Sequence, residues 1–110
     1  MVPDQNPTVR VVDVPEQSRF VTQATAPGQA EGELVYRVED GRLLLLHTEV
    51  PTALEGHGVG GQLVRASVQR AATDHLTLVP WCPFARRWLK EHAAETSGVD
   101  VDFTTPPPET

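Results

Sequence analysis

The chain has 110 residues, 39% of them hydrophobic, and a net charge of −6. That length allows one modest core, and an acidic surface argues against nucleic acid, whose binders are usually basic. One cysteine rules out an internal disulfide, no apolar run reaches the ~18 residues of a membrane span, and the N-terminus has no signal-peptide pattern, so a reducing cytoplasm is the expected location.

Residues 1–7 are polar, with two prolines, and read as a frayed lead-in. Thr8 to Val14 is β-rich and suits an edge strand, and Pro15 to Ser18 suits a turn. Arg19 to Thr25 reads as a strand with Phe20, and then Val21, as candidates for the interior. Ala26 to Gly32 is a loop longer than a tight hairpin. Glu33 to Glu39 alternates, with Leu34, Tyr36 and Val38 on one face and Glu33, Val35, Arg37 and Glu39 on the other. Asp40-Gly41 is a two-residue hairpin signal. Arg42 to Val50 is then the next antiparallel strand, and its four leucines call for burial on both faces.

A glycine-rich turn follows. Gly56, Gly58, Gly60 and Gly61 fall within six residues, where a helical pattern begins. Glycines allow positive φ and let a ligand approach bare N–H groups. A helix N-terminus adds unpaired donors and partial positive charge, so the combination suits an anion such as phosphate. No Gly-Lys-Ser/Thr follows, which excludes a Walker loop. Gly56-x-Gly58-x-x-Gly61 lacks the doubly wound sheet that a dinucleotide fingerprint needs.

Val59, Leu63, Ala66 and Val68 to Ala71 form the stripe of the helix, with Arg65 and Arg70 outward. His75 to Pro80 is a return strand, and a single crossover helix makes it parallel to Arg42–Val50. Pro83 starts a second helix with Phe84, Trp88 and Leu89 inside and Arg86, Arg87, Lys90 and Glu91 outside. The expected fold is α/β of the α+β type: a mixed, mostly antiparallel sheet with a splayed parallel pair and two main helices. Residues 96–110 are polar and proline-rich, and are expected to be a disordered tail after a folded unit of residues 1–95.

At the turn the sequence resembles the GNAT superfamily of N-acetyltransferases. Their Gln/Arg-x-x-Gly-x-Gly/Ala loop corresponds to Glu55-Gly56-His57-Gly58-Val59-Gly60, with Glu55 where Gln or Arg is usual. The match is closer to the small GNAT-like proteins, which carry a His-Thr-x-Val strand end before the loop and Pro-x-Cys-Pro-Phe after the helix. This chain has His47-Thr48-Glu49-Val50 and Pro80-Trp81-Cys82-Pro83-Phe84. It departs at His57, where Arg is common, and at His92-Ala93, where His-Pro is common. The resemblance spans roughly Arg19 to His92. It implies a minimal GNAT fold, acetyl-CoA as cofactor and an amine, small or on a protein, as acceptor. The pyrophosphate would lie over the N–H groups of His57, Gly58, Val59, Gly60 and Gly61, with Glu55 and Gly56 in the same cofactor-binding loop, and the pantetheine along Thr48 to Val50.

Amine acetylation needs a base for the amine and a proton for the departing thiolate. Strand alternation puts His47 and Glu49 on one face, with Thr48 and Val50 on the other. Glu49 is the type of residue that serves as base in GNAT enzymes, and His47 is a candidate to orient it or the substrate. Cys82, ending the parallel strand, could protonate the thiolate or carry the acetyl group itself. The bland readings are a solvated strand-end carboxylate, a hydrogen-bonded histidine and a small buried hydrophobe. The four histidines show no metal-ligand spacing. A rival function is a non-catalytic acyl-CoA-binding or interaction module. Monomer and homodimer are both open, and the absence of the first helices common in larger GNAT enzymes implies an acceptor pocket that is open or completed by another chain.

Overall fold

A computed structural model describes residues 10–23, 31–52 and 58–108 of the chain. Among the described residues, five strands form one sheet in the order β1 (Arg10–Val14), β2 (Arg19–Gln23), β3 (Glu33–Glu39), β4 (Arg42–Glu49) and β5 (Thr77–Pro80). The first four pair antiparallel, and β4 pairs parallel with β5 through the crossover helix α1 (Val59–Asp74). Helix α2 (Pro83–Glu91) follows β5, opening on Pro83. The hairpin at Asp40-Gly41 has positive φ at both residues, 52° and 75°, as a type I′ turn requires.

Both helices cover one face of the sheet. Phe20, Leu34, Tyr36, Leu43, Leu45 and Leu78 meet Leu63, Val64, Val68 and Ala71 of α1 and Ala85, Trp88 and Leu89 of α2 in one buried cluster. On α1 the buried stripe includes Val64 and Ser67, while Ala66 is half-buried. Ser67 can be buried because its hydroxyl donates to the Val64 carbonyl at 2.6 Å. On α2, Ala85 joins Trp88 and Leu89 in the core and Phe84 is half-buried at its edge.

The helices touch where α1 begins. A Cβ on Gly60 would stand 2.6 Å from Phe84 Cζ, and one on Gly61 2.6 Å from Trp88 Nε1. Two of the loop glycines therefore also serve helix–helix contact, a close approach that any larger residue obstructs.

The expectation of a disordered tail needs correction. Leu78 donates to Asp100 O and accepts from Asp102 N, at 2.9 and 2.8 Å, so Val101 bridges in parallel to the outer edge of β5. Val99, Val101 and Phe103 pack on the core cluster. The guanidinium of Arg86 donates to Phe103 O and Trp81 Nε1 to Thr105 O. An edge strand with unpaired backbone groups is the physical reason: it offers polar segments hydrogen bonds that proline-rich composition does not reveal.

Candidate active site

The parallel pair parts at a definite point. Its register runs from Arg42↔Thr77 to Leu45↔Pro80. The Leu45 carbonyl then accepts from both Trp81 N (3.0 Å) and Cys82 N (2.9 Å). One acceptor thus takes two successive donors, and the chain after β5 stops tracking β4 and enters α2. Strand β4 continues from Leu46 to Glu49, paired on its β3 side only among the described residues. The opening is a V, with Leu45 at its vertex.

A bulge decides which side chains meet there. Tyr36 pairs with Leu45 but Val35 with His47, so Leu46 is an extra residue in β4. Directly paired residues share a face. Thr48, opposite the buried Leu34, therefore faces the helices, as does Leu45. His47, opposite Val35, and Glu49, opposite Glu33, face the other way. In an unbroken strand His47 would have pointed with Leu43 and Leu45 into the core.

The candidate residues form two pairs. On the face away from the helices, His47 Nε2 is 3.6 Å from Glu49 Oε2, with side chains 62% and 69% exposed. On the helix face, Thr48 Oγ1 lies 3.2 Å from Cys82 Sγ. Cys82 is 4% exposed and is the N-cap of α2, though its side chain does not cap the helix. No side-chain contact joins one pair to the other; β4 itself separates them, with the V between. Val50 is half-buried against the core cluster. Tyr36, the chain's only tyrosine, is held elsewhere: its hydroxyl donates to Asp13 Oδ1 at 2.5 Å and accepts from Arg70 at 3.0 Å.

Helix α1 starts close to the end of β4, with Val59 and the Glu49 carbonyl both against Gly32. Its N-cap is Gly58, at φ 74°, with no side-chain cap, and Gln62 N donates to Gly58 O as the first helical bond. The N–H groups of Val59, Gly60 and Gly61 thus have no partner within the helix. Among the described residues, a Cβ at Gly58 would meet nothing within 4 Å. No acidic side chain stands in this first turn. These features suit a phosphate. Glu55, Gly56 and His57 lie outside the described residues.

Two contacts were not legible beforehand. Gly32 brings β3 against the end of β4: a Cβ there would lie 3.4 Å from Glu49 O, 3.5 Å from Leu63 Cδ1 and 3.5 Å from Val59 Cγ1. Its N–H donates to the buried Thr22 hydroxyl at 2.7 Å. The other is the contact between Thr48 and Cys82, 34 positions apart. Nothing local in the sequence signals either.

A five-stranded mixed sheet with a parallel pair splayed at a helix N-terminus defines an acyltransferase-type fold. The family model described as GCN5-related N-acetyl-transferase matches residues 19–98. The chain belongs to that family and is an N-acetyltransferase. It is similar in fold to the NMR solution structure of a GCN5-like candidate N-acetyltransferase from Staphylococcus aureus, with a TM-score of 0.61, 22% identity, and coverage of 91% of this chain and 95% of that one. No curated protein matches the chain. Among the described residues no helix is long and apolar enough to cross a membrane.

Proposed function

We propose that this chain moves the acetyl group of acetyl-CoA to an amine held on the helix-free side of β4. The observation that carries this is the V below Leu45, whose β4 arm ends close to the first turn of α1, a turn with no side-chain cap among the described residues. The edge of Leu46 to Glu49 beyond β5, unpaired among the described residues, suits strand-like hydrogen bonding to pantetheine. The N–H groups of Val59, Gly60 and Gly61 suit the pyrophosphate, with Glu55, Gly56 and His57 assigned to the same loop from the resemblance. Bound there, acetyl-CoA supplies the activated acetyl carbonyl.

Each pair of side chains then has one task. Glu49, open to solvent on the acceptor face, takes a proton from the amine, directly or through water, and His47 orients it. Cys82, on the cofactor face, gives its proton to the departing sulfur. Direct transfer is favoured over an acetyl-cysteine because Sγ is buried, away from the amine side of β4.

The test is thermal denaturation with and without acetyl-CoA. Ligand that binds only the folded chain raises the melting temperature by mass action, by about 2.7 kcal/mol of stabilisation at 100 times Kd. Gly58→Asn keeps a residue that tolerates the left-handed conformation, while Gly58→Asp adds a negative charge where phosphate is assigned. The expected result is a ligand-induced shift in wild type and Gly58→Asn, and none in Gly58→Asp. No shift in wild type at millimolar acetyl-CoA removes the proposal.

A further inference from the structure

Thr48 and Cys82 reach each other from opposite arms of the V. The backbone of Cys82 is fixed on both sides, its N–H donating to Leu45 O and its carbonyl accepting from Arg86 N at 2.9 Å. Its sulfur could turn back to cap α2 and does not; it lies instead 3.2 Å from the Thr48 hydroxyl. Thr48 is fixed in turn by its pairing with Leu34 and reaches the sulfur only because the bulge at Leu46 rotates it onto the helix face. Its β-branched side chain is stiff at χ1, which holds the hydroxyl in place.

We propose that the side chain of Thr48 is a positioning residue for Cys82, holding the sulfur in the V and hydrogen-bonding it in both of its protonation states. The proton-donor part of this rests on the acetyl-transfer reading above. In that step the amine nitrogen bonds to the acetyl carbon and gives its proton to Glu49, while the bond between acetyl carbon and CoA sulfur breaks and its electron pair goes to the sulfur. The Cys82 proton moves to that sulfur, and the pair from the S–H bond stays on Sγ, which solvent reprotonates on product release. Before the step the thiol donates to Thr48 Oγ1. After it, the hydroxyl rotates and donates to the thiolate. A hydroxyl can do both, being one donor and two acceptor sites on a free rotor. The need is real, because a buried anion lacking a donor is strongly disfavoured and a charge-assisted bond to it is among the stronger kinds.

Valine copies the shape of threonine without the donor, and serine keeps the donor. The experiment follows alkylation of Cys82 by iodoacetamide in the folded, CoA-free chain, read by intact mass from about pH 6 to about pH 10, the range in which a thiol titrates. Thr48→Val is expected to raise the midpoint by about one pH unit, the scale of a hydrogen bond to a charged group, and Thr48→Ser to restore it. A merely structural side chain would not move that midpoint. Should circular dichroism show Thr48→Val unfolded, Thr48→Ala drops the same donor with a smaller side chain. An unchanged midpoint in the folded variant, or no alkylation of wild type across the range, overturns the proposal. Because no CoA is present, the midpoint is read separately from acetyl transfer. A shifted midpoint in a chain that binds no acetyl-CoA sinks the function proposed above and leaves the positioning intact.

Discussion

Glu49 and Cys82 differ in what their removal should do, and the difference comes from exposure. Glu49 is open to solvent, with a long contact to His47. Exposed ion pairs contribute little to stability, so Glu49→Gln should fold normally and report chemistry alone. With Glu49 as base, turnover should fall roughly 10²–10⁴-fold. Cys82 is buried, its sulfur against the Thr48 hydroxyl, and Cys82→Ala should cost less than Glu49→Gln in direct transfer. Mass spectrometry with acetyl-CoA and no acceptor checks the route. An adduct of about 42 Da on Cys82, the mark of a covalent intermediate, would replace direct transfer with a two-step mechanism.

Between elements, the first turn of α1 has two duties that pull on the same residues. Gly60 and Gly61 offer N–H groups outward and let α2 lie close inward. Alanine would gain roughly 0.5–1 kcal/mol of helix propensity at either site, against roughly 1–3 kcal/mol for overpacking. The outcome depends on which neighbour can move. Phe84 is half-buried, and the ring atom in the way is its far end. Trp88 is 8% exposed and clasped, with the His92 ring stacked at 4.1 Å and the Arg65 guanidinium 5.5 Å from its centroid. Gly61→Ala should therefore destabilise clearly and Gly60→Ala much less, as measured by urea midpoints. Equal midpoints would mean that α2 shifts as a unit.

Across the whole molecule, one polar clasp and one added strand tie distant parts together. Arg70 of α1 meets Asp13 of β1 and Asp74 at 2.6 Å each, and the Tyr36 hydroxyl of β3. Burial first, and then the hydrogen bond to Asp13, hold the Tyr36 proton above its ordinary value of 10.0, with Arg70 pulling the other way. The unfolded chain loses that proton first as pH rises. The contribution of Tyr36 is thus complete below about pH 10 and is lost as pH climbs through the folded value. Urea midpoints should fall more steeply above about pH 10 for wild type than for Tyr36→Phe; parallel curves would contradict this. At the other edge, truncation after Gly98 removes both backbone bonds to Leu78 and uncovers core contacts of Val99, Val101 and Phe103. It should lower the melting temperature by several degrees, as a loss of one to a few kcal/mol does in a domain of this size. An unchanged temperature would make the segment dispensable.

Local physics made much of this visible in the chain alone. Alternation from Glu33 to Glu39, the Asp40-Gly41 turn, the four-leucine run and the proline at α2 each depend on neighbours in sequence, and each element formed where its pattern lay. The glycine turn before α1 and the two flanking motifs pointed to the family for the same reason. Three things were decided only in the tertiary structure. The bulge at Leu46 sets which face His47 and Thr48 take, and it arises from the pairing of β3 with β4, not from any residue preference within β4. The tail docks because β5 leaves an edge for it, 23 residues away at Leu78↔Val101. Gly60 and Gly61 read as ligand glycines, yet they also bear on Phe84 and Trp88 across the fold. Side-chain period and turn chemistry are local and act before folding. Register, edge pairing and the approach of two helices exist only once separated segments have met.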